Sequence, residues 1–303
     1  MEYPEERFVT LASGCRICYQ TFGKPSHSAV LLIQGWGTSM TQNAGELVRF
    51  LSPPEAPHFV IRYDHRDTGR SSTFTRPADG SDVYSMENMA QDVVGLARHL
   101  ELKNLHLVGS SLGGPISWLA ADQLSDIVRS LALILTSPVG AVQNDADGLP
   151  PLKSESRELL ADAFELPDDL QSDKQWIERS VKLELALATQ PPTADEIAET
   201  RRNSEKTYRR EKESGTLWTK SNHSDVARVR WPREVLKKIR CPTVVIHAAK
   251  DQTFPQEHAE ALAGDIDDAT LVILDDCGHE MPQRIRRPLA KIILANVAKG
   301  DQT

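Results

Sequence analysis

A serine with glycine two residues to either side, Gly109-Ser110-Ser111-Leu112-Gly113, follows the apolar run Leu105-His106-Leu107-Val108. In the pattern G-x-S-x-G the central serine sits on a strained turn between a buried strand and a helix, its hydroxyl exposed at the carboxyl end of a sheet. Ser111, not Ser110, is therefore the candidate nucleophile. Gly109 and Gly114 also match two glycines of a dinucleotide fingerprint, but its middle glycine falls on Ser111, where a side chain blocks the approach of a pyrophosphate.

A serine hydroxyl is a weak nucleophile near neutral pH, so it needs a base and a carboxylate to orient that base and stabilise it once charged. In the strand-turn-helix architecture that the G-x-S-x-G elbow marks, the acid and then the histidine are expected to follow the serine, each in a loop after a late strand. Asp251 follows the apolar run 243–248, and His279 follows the run 270–274 in Asp275-Asp276-Cys277-Gly278-His279. Among nine histidines, His106 and His247 fall inside predicted strands, His58 starts one, and His99 sits on a helix. His27, His223 and His258 lack a strand-loop setting. His65 is the rival base, placed after a strand but upstream of the serine. Asp275 and Asp276 read as surface residues. Acyl transfer also develops an oxyanion, which calls for two backbone donors. The amide of Leu112 is one candidate, and the amide of Trp36 in the turn Gln34-Gly35-Trp36-Gly37 is the other.

The elements that must position these groups read as strands over 7–11, 16–21, 29–33, 58–63, the apolar run before Gly109, 130–135, 243–248 and 270–274, with helices over 45–51, 86–100 and 288–298. Ser85 is the expected cap of the second helix. Short, nearly continuous apolar strands alternating with helices imply an α/β fold with a mostly parallel sheet covered on both faces. The segment 138–231 interrupts that rhythm with no strand and three expected helices, over 154–165, 172–188 and 193–213. In the second of these Ile177, Val181, Leu185 and Ala188 recur at helical spacing and predict its apolar face. The domain reading is a core of 1–137 and 232–303 with a helical lid of 138–231. Trp176, Trp218 and Trp231 are candidates for lining a substrate pocket under that lid, or for packing within it. Charge runs such as Glu205-Lys206 and 209–213 read as solvated faces.

A chain of 303 residues with net charge −8 has room for one large domain plus an insertion, and the acidic balance argues against nucleic acid or an anionic membrane as partner. No run approaches the roughly 20 apolar residues that span a bilayer, and residues 1–7 lack the character of a signal peptide, so a soluble, cytoplasmic protein is expected. Four cysteines are too few for a disulfide scaffold, and Cys15 and Cys18 read as reduced strand residues.

Taken together, the 34–37 turn, the segment 64–71, the serine turn and the Asp251 and His279 loops resemble the α/β-hydrolase fold superfamily in motif order over nearly the whole chain. The segment Asp64-His65-Arg66-Asp67-Thr68-Gly69-Arg70-Ser71 is similar to that family's D-x-R-G-x-G-x-S turn, in a form that resembles anthracycline (aclacinomycin) methylesterases. The resemblance implies a cofactor-free, metal-free carboxylic-ester hydrolase acting on a methyl ester or lactone of a bulky, partly aromatic natural product, with a small-molecule ester as its partner. A carbon–carbon bond hydrolase or acyl-transfer cyclase on the same triad remains open, as does a ligand-binding protein with residual hydrolysis; monomer and homodimer are both open. Two departures stand out: Gln34 replaces the family's usual histidine, and Asp67 replaces a common glycine.

Overall fold

The structure is a computed structural model that describes residues 3–42, 45–55, 57–141, 147–164 and 172–302. Its eight strands are β1 (Arg7–Thr10), β2 (Arg16–Phe22), β3 (Ala29–Ile33), β4 (Phe59–Tyr63), β5 (Leu105–Ser110), β6 (Val128–Ile134), β7 (Thr243–Ala248) and β8 (Thr270–Leu274). They form one sheet in the order β1-β2-β4-β3-β5-β6-β7-β8. Pairings β1–β2 and β2–β4 are antiparallel, and the remaining pairings are parallel.

The all-apolar β3 sequence AVLLI is buried along its length because helices cover both sides of the sheet. The period-two geometry of a strand divides its side chains between two cores. Leu31, Ile33, Leu107, Leu131, Leu133 and Val245 point into one, filled out by α2 (Met86–His99), α3 (Gly113–Gln123) and α8 (Gln256–Gly264). Val30, Leu32, Val108, Ala132, Ile134 and Ile246 point into the other, closed by α1 (Gly45–Leu51) and α9 (Gln283–Gly300). Ser85 caps α2 in a reciprocal box with Asn88, as its position predicts. Cys15 and Cys18 are buried free thiols.

Between β6 and β7 the chain forms α4 (Ser154–Phe164), α5 (Asp173–Ala186), α6 (Ala194–Ser214) and the short α7 (His223–Ala227). Ser172 and Thr193 prove to be capping residues, each in a box with the residue three positions on. The expected helix end at Glu165 lies outside the described residues, as do Met1 and Glu2 of the amino terminus.

Three expectations change. The last helix starts at Gln283 rather than Pro288, with the proline inside it. Its first turn is held by tertiary contacts, through buried Ile285 and the pairs Arg284–Glu196 at 2.5 Å and Arg286–Glu199 at 2.6 Å with α6. The charge run 209–213 is solvated only in part: Arg209, Lys212 and Glu213 are exposed, but Arg210 and Glu211 are 5% and 1% exposed. Arg210 reaches Asp64 at 2.7 Å and Glu6 at 2.9 Å, and Glu211 pairs with Lys220 at 3.0 Å. Finally, the apolar face read in the sequence, with Val181 buried, is one of two on α5: Trp176, Ser180 and Leu183, with Leu187 just past its end, face a cavity.

Candidate active site

Parallel β3, β5, β6, β7 and β8 all end on the same edge of the sheet, so the loops that follow them converge there. Ser111, at the end of β5, has φ 50, a left-handed conformation that costs a serine energy. Neighbouring groups hold it: Ser111 N donates to the Ile134 carbonyl at 2.9 Å, and its own carbonyl accepts from Thr136 Oγ1 at 2.8 Å and Gly114 N at 2.9 Å. The glycine at 113 is a packing requirement, because a Cβ there would overlap the Ile33 carbonyl. A Cβ on Gly35 would lie 3.2 Å from that of Ser111, so the 34–37 turn rests directly against the serine.

Ser111 Oγ lies 3.1 Å from His279 Nε2, and His279 Nδ1 lies 2.9 Å and 3.1 Å from the two Asp251 carboxylate oxygens. Asp251 Oδ1 also accepts from the amides of Thr253 at 2.7 Å and Phe254 at 3.0 Å. Burial acts to raise the pKa of this carboxyl, but the adjacent His279 and the hydrogen bonds outweigh it and hold the group below the usual carboxylate value. An ionised Asp251 accepts from His279 Nδ1–H, which leaves Nε2 free to accept the serine proton. The insertion touches this chain of bonds too, since His279 N donates to the Leu187 carbonyl at 3.2 Å. Asp275 and Asp276 are exposed.

Leu112 precedes the first turn of α3, where backbone N–H groups have no intrahelical acceptor. Trp36 is half-buried in the facing turn. His65, the rival base, lies on the other side of that turn. It is fully buried between the Tyr63 hydroxyl and the Gln34 carbonyl, and burial pushes its pKa down to about 4.

A cavity of about 200 Å³ opens over Ser111 and His279. Its walls include Trp36 from the core and Leu160, Trp176, Leu183, Leu187 and Tyr208 from the insertion, with the charged Arg179, Glu184, Glu211 and Lys220 among them. Of the three tryptophans expected there, only Trp176 lines it. Trp218 is 45% exposed and stacks edge-on against Trp176 at 4.7 Å. Trp231, 3% exposed, packs on Phe254 at 5.9 Å and belongs to the core. Sequence reasoning missed the leucines and Tyr208, whose helical spacing marks them as apolar without saying which face meets the site. Among the described residues no cluster of histidine, cysteine or acidic side chains could hold a metal ion, and no helix is long and apolar enough to cross a membrane.

Residues 28–282 match the α/β hydrolase fold family. The chain is 30% identical over 288 residues to rhodomycin D methylesterase DauP of Streptomyces sp. (strain C5), covering 90% of this chain and 92% of that protein. Identity to rhodomycin D methylesterase DnrP of Streptomyces peucetius is also 30%, over 290 residues, with the same coverage of each. Among solved structures, the esterase EaEST of Exiguobacterium antarcticum superposes with a TM-score of 0.73 at 22% identity, covering 97% of this chain and 100% of that one. With a mostly parallel sheet, a strained serine after β5 and sequence agreement running from β3 to beyond the His279 loop, this chain belongs to the α/β-hydrolase fold family.

Proposed function

We propose that this protein is a serine hydrolase that cleaves a carboxylic ester, either a methyl ester or a lactone, of a bulky and partly aromatic natural product. The observation that carries this reading is the unbroken chain of hydrogen bonds from Ser111 through His279 to Asp251, on the floor of a cavity walled by aromatic and leucine side chains. The substrate class draws on the two Streptomyces relatives, both named as methylesterases of rhodomycin D.

In the proposed reaction Ser111 Oγ bonds to the ester carbonyl carbon while His279 Nε2 takes its proton. The carbonyl oxygen becomes an oxyanion facing the amides of Leu112 and Trp36. Collapse expels the alkoxide, which leaves as an alcohol with the proton from His279. Water, deprotonated by the same nitrogen, then attacks the acyl-enzyme; the carboxylic acid product and free Ser111 result. Asp251 keeps His279 in the Nδ1–H tautomer throughout. The insertion 138–231 serves as a lid over the acyl group, with Trp176 its aromatic wall and Trp218 a brace behind that wall.

The test is Ser111→Ala with aryl methyl esters and a small activated ester. Turnover is expected to fall by roughly 10⁴ to 10⁶ with the fold intact, and a fluorophosphonate probe should label the wild type at Ser111 and not the variant. Retained turnover, or labelling at another serine, overturns the assignment. Trp176→Ala should lower kcat/KM for a bulky aromatic ester about tenfold more than for the small ester. Equal losses on both would make the tryptophan a buttress of the insertion rather than a selector.

A further inference from the structure

The 34–37 turn carries the proposed second oxyanion donor, yet it contains two glycines, one of them with φ 59 at Gly37. Such a segment has little conformational preference of its own. Two histidines outside the Ser111–His279–Asp251 chain hold it. His65 Nε2 lies 3.0 Å from the Gln34 carbonyl oxygen, and its Nδ1 lies 3.1 Å from the Tyr63 hydroxyl. A carbonyl oxygen can only accept, so Nε2 carries the proton and Nδ1 accepts from Tyr63 O–H. His223, delivered by α7 of the insertion, lies with Nδ1 3.0 Å from Gly37 N and Nε2 2.8 Å from the Arg66 carbonyl. A backbone N–H can only donate, so here too Nδ1 accepts and Nε2–H donates. The two rings meet edge to face at 5.8 Å, and both side chains are buried.

The two histidines hold the first and third peptide planes of the turn. His65 fixes the plane containing the Gln34 carbonyl, and His223 fixes the plane containing the Gly37 amide. The plane between them carries the Trp36 N–H. We infer that His65 and His223 are positioning residues that aim the Trp36 amide at the oxyanion forming on Ser111. This inference rests on the proposed hydrolase reading. Neither histidine touches the reacting atoms; each acts through a backbone bond, and His223 makes completion of the site depend on the insertion.

Side-chain amides separate the two nitrogens, because asparagine places its oxygen near the position of Nδ1 and glutamine its nitrogen near that of Nε2. At 223 the decisive bond is at Nδ1. His223→Asn should therefore retain most of kcat, while His223→Gln, which reaches only the Arg66 carbonyl, should lose about 10- to 100-fold, the scale of a misplaced oxyanion donor. At 65 the decisive bond is at Nε2 and the order inverts, with His65→Gln active and His65→Asn impaired. The losses should fall on kcat with KM little changed. The inhibition constant of an aryl trifluoromethyl ketone should rise in step in the impaired variants, because its adduct forms by Ser111 Oγ adding to the carbonyl carbon, with the proton passing to His279 and the charge resting on oxygen. Asparagine and glutamine variants that behave alike at each position, with an unchanged ketone constant, would overturn the inference.

A measurement on the wild type needs no variant to fold: nitrogen NMR of histidine-labelled protein at pH 7 should show both rings neutral with the proton on Nε2. A proton on Nδ1 of His223 would contradict the bond to Gly37. Loss of the underlying hydrolase reading is distinguishable, since it would appear as retained turnover in Ser111→Ala, whatever the histidine variants do.

Discussion

Asp251 shows how much a single carboxylate settles. Its Oδ1 is committed to the amides of Thr253 and Phe254, and both its oxygens face His279 Nδ1. In Asp251→Asn the amide oxygen has to take the two backbone donors, which turns the NH₂ group toward His279. The imidazole is then driven to accept at Nδ1 and to carry its proton on Nε2, facing Ser111, where it cannot act as a base. We expect kcat to fall by about 10⁴, with the far-ultraviolet circular dichroism spectrum unchanged; a loss below tenfold would show that the carboxylate does not set the tautomer. That Ser111, Asp251 and His279 would meet in one hydrogen-bonded chain was legible in the sequence, because the proposed chemistry calls for these residue types and the strand-loop rhythm fixes their places. His223 was not legible, for it comes from a five-residue helix and meets Gly37 across 186 positions of chain. His65 drew attention as a rival base, and only packing reveals that both its nitrogens are already engaged.

At the level of elements, the sheet strands were readable because burial on both faces leaves a continuous apolar signature, whereas the turn after β4 shows where a local rule was displaced. Asp67 stands at φ 62, a left-handed conformation that favours glycine. The carboxylate compensates by accepting from Phe74 N at 2.7 Å and from Asn222 Nδ2 at 3.0 Å, the second a bond to the insertion. Replacing it with glycine should relieve about 1 kcal/mol of backbone strain while removing two bonds at about 1 kcal/mol or more each, along with their unsatisfied donors. Asp67→Gly is thus expected to be less stable by about 1 to 3 kcal/mol, read as a lower denaturant midpoint at constant slope; a variant more stable than wild type would mean that strain dominates. The second, cavity-facing stripe of α5 went unread because periodicity marks faces but does not say whether a face meets another helix or a cavity. Pro288 misled for a related reason: propensity places it at a helix start, and contacts with α6 extend the helix backward past it.

For the molecule as a whole, His65 and His223 belong to a set of buried histidines, with His106, His247 and His258, whose pKa burial pushes down and which together make stability depend on pH. Burial pushes His65 down to about 4, and burial together with its neighbour pushes His223 down to about 3. Between their ordinary value of 6.5 and about 4, the unfolded chain binds protons that the folded chain refuses, so stability should fall as pH is lowered through that window and be recovered above it. Each unit of separation corresponds to about 1.4 kcal/mol. Denaturant midpoints at several pH values should show the slope, and His223→Asn should reduce it by its share while leaving the part due to the other buried histidines; an unchanged slope in the variant would mean that His223 is already charged or already exposed in the folded chain.

The ion pair between Arg210 of α6 and Asp64 at the end of β4 has a bearing on how such proteins can be recombined. Asp64 is fully buried and also accepts from Ser39 Oγ, Met40 N and Arg70 N; Arg210 is the cation that faces it, and it arrives from the inserted helices. The first half of the sheet therefore carries a charge whose counterion is encoded 146 positions later. Exchanging the insertion between relatives to change substrate preference is then not a matter of trading a wall. A donor segment without arginine at the position of 210 leaves an uncompensated carboxylate inside the recipient, a defect of about 3 to 5 kcal/mol. Workable chimeras are those in which both members of the pair travel together.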